Sequence, residues 1–78
     1  MNIETSLDLE KLMDELPTIL SANFVINENG KKCLQIVTIY RTWEYVGWLR
    51  YDVKRFIEKN EKCKFDYEIE IISKYGML

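Results

Sequence analysis

Aromatic and basic side chains alternate through residues 40–56, and this segment is the part of the chain best suited to recognising another molecule. It holds six of the ten aromatic residues, both tryptophans among them, interleaved with Arg41, Arg50, Lys54 and Arg55. A domain of 78 residues has little interior. We therefore expect some of these rings to face solvent, where Trp, Tyr and Arg are the side chains that dominate binding hot spots.

Three residues of this segment, Trp48, Tyr51 and Arg55, are spaced by three and four, which places them on one stripe of a helix. The two rings offer a large contact area for few frozen torsions, and the guanidinium group offers a planar fork of donors. Glu44 falls on the same side. The competing interpretation is that the rings are buried, against the N-terminal helix or because residues 43–51 form a strand. We name Trp48, Tyr51, Arg55 and Glu44 as the predicted partner-binding residues.

The residue types that most enzymes need are missing. The chain has no histidine, so neither a Ser-His nor a Cys-His pair can form within it. The three glycines, at positions 30, 47 and 76, are too far apart to form a phosphate-binding loop. The sequence therefore predicts a protein that is not an enzyme.

Two weaker constellations bear on metal and thiol chemistry. Asp66, Glu68 and Glu70 alternate along a predicted strand, where they could share a hard cation, although a solvated strand face is the simpler interpretation. Cys33 and Cys63 are expected to be free thiols in a reducing cytosol, unless their Cα atoms lie within about 7 Å of each other. Lysines flank Cys63 and favour its thiolate, but no base accompanies it, so we expect it to be inert. We predict no metal and no cofactor.

Composition indicates one folded domain spanning residues 1–78. No apolar run approaches the roughly 20 residues that span a bilayer. Residues 1–8 are acidic and lack the features of a signal peptide, so a cytoplasmic location without membrane contact is the expectation. The net charge of −2 is unevenly distributed, because residues 31–64 hold nine basic and four acidic residues between two acidic ends. This pattern indicates a binding face or, more simply, intramolecular complementarity between an acidic and a basic helix.

The first predicted helix is capped by Thr5 or Ser6 and ends at Pro17, whose ring disfavours a helical conformation at the preceding residue. Residues 18–20 are predicted to add one more turn. The apolar positions of this helix recur every three or four residues: Leu9, Leu12, Met13 and Leu16.

Three strands are predicted, at residues 23–27, 32–40 and 64–72. A tight turn at residues 27–30 joins the first two, with the Asn29–Gly30 pair supplying positive φ angles. The second strand is apolar on both faces, which indicates a central position in the sheet. The third alternates strictly between apolar and acidic residues, so we expect its acidic face to look away from the helices.

Residues 43–60 fit a helix capped by Thr42 better than a strand that runs to residue 51. One helical period places seven residues on a single apolar stripe: Trp43, Tyr45, Val46, Leu49, Val53, Phe56 and Ile57. Gly47 is the weak point of this assignment, since glycine costs about 1 kcal/mol relative to alanine in a helix interior. The predicted fold is a small two-layer α+β domain with the order helix-strand-strand-helix-strand. Its three-stranded sheet is mainly antiparallel, with both helices on one face.

The leading functional hypothesis is a non-catalytic protein-binding module, such as a small inhibitor, an antitoxin-like partner or an adaptor. Small proteins of phages and mobile elements often have this size and composition. The alternative is nucleic-acid binding by the basic aromatic segment 40–59, against which stand the net negative charge and a pI of about 5.1. Homodimerisation through the aromatic surface is a third hypothesis, compatible with either of the others.

Overall fold

The computed structural model describes residues 7–60 and 67–78 and contains five elements of secondary structure. They are α1 (Leu9–Glu15), β1 (Ile19–Ile26), β2 (Lys32–Thr38), α2 (Trp43–Asn60) and β3 (Glu68–Ser73). This order confirms the predicted helix-strand-strand-helix-strand arrangement of an α+β domain. None of the helices in the described ranges is long and apolar enough to cross a membrane.

The three strands form one sheet in the order β1-β2-β3. β1 and β2 are antiparallel, whereas β2 and β3 are parallel, so the predicted fold class holds with one parallel pair in the sheet. A parallel pair needs a crossover connection, and α2 lies in that crossover. The prediction that the second strand is central, which rested on its apolar residues on both faces, is confirmed.

A single apolar core lies between the sheet and the two helices. Leu34 and Ile36 project from the same face of β2 and are fully buried. They belong to a cluster to which both helices contribute. Its buried members are Leu7, Leu12, Ile19, Ala22, Leu34, Ile36, Leu49, Val53, Phe56 and Ile57. One face of the sheet is therefore covered by helices, as predicted for a two-layer domain.

The N-terminal cap of α1 is Asp8, which corrects the prediction of Thr5 or Ser6. Its Oδ1 accepts hydrogen bonds from the backbone N–H groups of residues 10 and 11, at 3.0 and 3.2 Å. A carboxylate in this position binds the free donors of the first turn and also complements the helix dipole. Thr5 and Ser6 themselves lie outside the described residues.

The helix ends before Pro17, as predicted, but the chain then enters β1 directly. Residues 18–20 do not form the predicted additional turn, because Ile19 is already paired with Thr38 of β2. The buried Thr38 hydroxyl donates to the carbonyl oxygen of Thr18 at 2.9 Å. This bond fixes the start of β1 to the end of β2, and the strand begins four residues earlier than the predicted 23–27.

The β1–β2 hairpin is present, but its connection is one residue longer than a two-residue turn. Asn27 and Lys31 close the hairpin through a backbone bond of 2.9 Å, and Gly30 donates to the Asn27 carbonyl at 2.9 Å. Of these residues only Gly30 has a positive φ, of 77°. The Asn27 side chain accepts from the N–H groups of residues 29 and 31 and holds the loop closed. A three-residue loop ending in a left-handed glycine replaces the predicted Asn-Gly turn.

β3 begins at Glu68, and residues 64–66 of the predicted strand lie outside the described residues. Ile69 and Ile71 pack against the core, whereas Glu68 and Glu70 are exposed on the opposite face. The expectation that the acidic face looks away from the helices is confirmed.

Candidate functional site

Helix α2 carries the predicted partner-binding residues, and Thr42 caps it as predicted. The carbonyl oxygen of Thr42 accepts from Val46 N at 3.0 Å, and its hydroxyl accepts from Tyr45 N at 3.4 Å. The helix continues through Gly47 to Asn60, which excludes the strand interpretation of residues 43–51. The buried positions recur at the predicted helical spacing: Val46, Leu49, Val53, Phe56 and Ile57.

Two residues assigned to the buried stripe lie outside it. Trp43 is 73% exposed and Tyr45 is 46% exposed. At 100° per residue, both lie about 80° from the middle of the buried stripe, one on each side. Both rings therefore lie at the edges of the stripe, outside the buried positions, and remain partly in solvent.

On the side of α2 opposite the core, five exposed residues fall within an arc of about 80°, and we call them the outer face of α2: Glu44, Trp48, Tyr51, Arg55 and Lys59. Glu58 is also exposed and lies at the edge of this face, about 20° beyond Tyr51. Trp48 and Tyr51 each keep 60% of their surface in solvent. The structure therefore brings the four predicted residues together on one surface, and their burial is ruled out. Lys59 was predicted only as part of the basic segment 40–59, and its spacing of four from Arg55 places it beside the four predicted residues.

The rings on and beside the outer face of α2 contact one another. The centroid of Tyr45 lies 5.4 Å from that of Trp48 and 5.3 Å from that of Tyr40, in tilted arrangements. The Arg55 guanidinium carbon lies 5.7 Å from the centroid of the Tyr51 ring. Contacts of this kind are each worth roughly 0.5–1.5 kcal/mol, and they restrict how the rings can turn. The surface is therefore partly ordered before anything binds to it.

The basic residues of the middle segment do not form one continuous basic surface. Arg50 donates from Nη1 to the carbonyl oxygen of Ile69 at 2.8 Å and so ties α2 to β3. Arg41 donates to the carbonyl oxygen of Gly76 at 3.3 Å. Lys31 lies on the hairpin, with its Nζ 3.5 Å from a Glu68 carboxylate oxygen. Three of the bases that could have met a polyanion are thus engaged in contacts within the domain.

An open groove of about 610 Å³ borders the outer face of α2 at its C-terminal half. Arg55 and Lys59 belong to both surfaces. The lining combines acidic, basic and apolar side chains: Glu15, Leu16, Asp52, Arg55, Phe56, Glu58 and Lys59. The groove widens the area that a large partner could contact at this end of the helix.

No candidate catalytic or metal site emerges from the described residues. Residues 7–60 and 67–78 contain no group of three potential metal ligands, and Asp66 and Cys63 lie outside those ranges. Cys33 is a free, buried thiol. Its burial raises its pKa, as do the carboxylates of Glu70 and Glu68 beside it. A thiol held in its protonated form is a poor nucleophile.

Comparisons with protein-family models, curated proteins and solved structures find no match for this chain. Its function has to be inferred from the described side chains. Exposed rings, an arginine fork and flanking charges on a helix are suited to noncovalent contact with another macromolecule.

Proposed function

We propose that this chain is a non-catalytic protein-binding module that contacts another protein through the outer face of α2. The observation that carries the proposal is the exposure of Trp48 and Tyr51, each 60% in solvent, at the middle of that face. Covering a large apolar side chain is worth about 1.5–3 kcal/mol, and a partner protein would gain this energy. The contact with Tyr45 covers only part of the Trp48 ring, so most of the ring is available to a partner.

In the proposed complex each residue has a distinct role. Trp48 fills an apolar recess of the partner, with Tyr51 packed beside it. Arg55, held against the Tyr51 ring, forms a bidentate pair with a carboxylate of the partner. Glu44 lies one turn before Trp48 and meets a basic group at the rim of the contact, where it favours correct orientation more than affinity.

The proposed mode of action is occupation of a site on the partner, as in a small inhibitor, an antitoxin-like protein or an adaptor. A cytoplasmic setting and an origin in a phage or mobile element fit this proposal. The acidic face of β3 extends it, because Glu68 and Glu70 would favour a partner whose surface is basic. If that surface normally holds nucleic acid, the chain would compete with the nucleic acid for it.

Direct nucleic-acid binding is less well supported. Residues 43–60 hold four basic and three acidic residues, so α2 is nearly neutral along its length. Glu44, Asp52 and Glu58 are all exposed, and they would repel phosphates next to the available bases. The exposed rings alone suit stacking on bases, so nucleic acid remains an outcome to be distinguished by experiment.

Affinity capture from nuclease-treated lysate tests the proposal. The tagged wild type is compared with Trp48→Ala/Tyr51→Ala, and captured proteins are quantified by mass spectrometry. We expect at least one protein to be retained by the wild type and reduced by about tenfold or more with the variant, since hot-spot truncations cost about 2 kcal/mol or more each. Circular dichroism must first show that the variant is folded, which its exposed positions favour.

The matched control is Ile26→Ala, which removes a large exposed side chain at the hairpin end of β1. This variant should capture the same protein as the wild type. Equal loss with both variants, or retention of every protein by the α2 variant, would show that the outer face is not the binding surface. Recovery of nucleic acid alone, in lysate without nuclease, would replace the proposal by nucleic-acid binding.

A further inference from the structure

We infer that the outer face of α2 also binds the outer face of α2 of a second copy of this chain, with the two helices antiparallel. The inference deepens the proposed function and rests on it, because both require this face to be a binding surface. It also implies that a partner protein and a second copy compete for the outer face of α2, because they could not occupy it together.

The order of residues along the outer face carries the inference. Glu44, Trp48, Tyr51, Arg55 and Lys59 follow one another at intervals of four, three, four and four residues. At 100° per residue they fall within an arc of about 80°, so they form one nearly straight stripe along the helix. The stripe starts with an acid and ends with a base, and it has Trp48 and Arg55 at equal distances from its middle.

This order is complementary to itself when reversed. With a two-fold axis beside Tyr51 and Asp52, Glu44 lies opposite Lys59 of the second copy, and Trp48 lies opposite Arg55 of the second copy. Two-fold symmetry produces each of these contacts twice. A parallel pair would instead place Glu44 beside Glu44 and Lys59 beside Lys59, so the charges select the antiparallel arrangement.

The groups that this arrangement needs are available. Within residues 7–60 and 67–78, neither Glu44 nor Lys59 forms an ion pair, and both are exposed. Arg55 already stacks on Tyr51, so Trp48 of the second copy would cover the other side of the guanidinium group. Antiparallel helices also place the positive end of each macrodipole next to the negative end of the other.

The contact area indicates a weak, reversible dimer. The 18 residues of α2 span about 27 Å, and one helix pair of that length stays below the roughly 1,200 Å² of a standard interface. A dissociation constant on the order of micromolar is therefore expected. A dimer of that strength is readily displaced by a tighter-binding partner protein.

Sedimentation velocity with charge-reversed variants tests the inference. Wild type, Glu44→Lys, Lys59→Glu and an equimolar mixture of the two variants are run from about 0.1 to about 500 µM, a range that brackets a micromolar constant. Each variant alone places like charges at both ends of the contact, and its association should weaken by about tenfold. In the mixture, a dimer of one variant with the other again places opposite charges at both ends of the contact. Association should then return to within about threefold of the wild type.

The control is Glu28→Lys, which makes the same change of charge in the hairpin loop and should leave association unchanged. A wild type that stays monomeric over the whole range overturns the inference, and so does a mixture that associates no better than its components. A monomeric wild type that still captures a protein through Trp48 and Tyr51 would overturn the dimer alone and leave the proposed function standing. Rescue in the mixture without any captured partner would support the dimer and remove the case for a separate protein target.

Discussion

The outer face of α2 and the open face of the sheet are both exposed to solvent, but their side chains are used differently. On the sheet, the acidic side chains of β3 accept hydrogen bonds from residues on or next to β2. Gln35 donates to Glu70 at 2.8 Å, and Asn27 donates to Glu68 at 3.3 Å. The carboxylates of this face already have hydrogen-bond partners within the sheet, so the face offers a partner negative charge but little exposed ring area.

Within residues 7–60 and 67–78, the ring–ring and cation–ring contacts of the outer face of α2 are made with other residues of the same helix. Tyr45 touches Trp48, and Arg55 touches Tyr51, while Glu44 and Lys59 make no ion pair within the described part of the chain. Most of the ring area stays in water. The comparison teaches that exposure alone does not mark a binding surface, whereas exposed apolar area beside unpaired charge does.

The largest expected effect is a difference in stability between substitutions at two adjacent residues, one on each side of α2. Leu49→Ala removes a buried side chain and should lower the free energy of unfolding by about 2–5 kcal/mol. Trp48→Ala removes an exposed ring and its contact with Tyr45, and should lower it by only about 0.5–1.5 kcal/mol. Urea denaturation followed by circular dichroism measures both. A large loss of stability in Trp48→Ala would mean that the ring supports the fold, and the outer face would lose its main argument.

A second comparison uses two arginines of the same helix. Arg50→Ala breaks the hydrogen bond to the Ile69 carbonyl and should destabilise the domain by about 1–3 kcal/mol, since it leaves a part-buried acceptor without its donor. Arg55→Ala should be close to neutral for stability and reduce only binding. Thermal unfolding of both variants measures their stability, and partner capture with both variants measures their binding. Equal destabilisation would contradict this expectation.

The smallest expected effect is a change of stability with pH, and it arises on the open face of the sheet. Because burial and the neighbouring carboxylates of Glu70 and Glu68 raise the pKa of Cys33, the folded state holds the thiol proton more tightly than the unfolded state does. The resulting stability is present at neutral pH and is lost as the pH rises above about 8.5, where an unfolded thiol ionises. Urea midpoints of the wild type should therefore fall more steeply between about pH 7.5 and about pH 10 than those of Cys33→Ala. Parallel pH profiles would show that Cys33 contributes nothing.

Much of this fold could be predicted because each element has a strong local signal. β2 is apolar on both faces and proved central, and the helical spacing of residues 46–57 identified the buried side of α2. The parallel pairing of β2 with β3 could not be read from these patterns, because alternation defines the faces of a strand but not its direction.

The helical spacing of α2 predicted part of the candidate site correctly and part of it wrongly. Periodicity placed Trp48 and Tyr51 opposite the core, as the structure has them. It also placed Trp43 and Tyr45 on the buried stripe, because a helical period gives the direction of a side chain but not the width of the surface that covers it.

The parallel pairing of β2 and β3 has a consequence for the thermodynamics of recognition. Since α2 lies between these two paired strands in the chain, and Arg50 binds it to β3, the helix cannot swing away or unwind without disturbing the sheet. Recognition peptides that fold on contact lose conformational entropy when they bind, which lowers their affinity for a given area. Here folding has already removed that entropy. The rings of α2 are presented in a preorganised form, so the proposed contact does not have to offset the cost of ordering the helix.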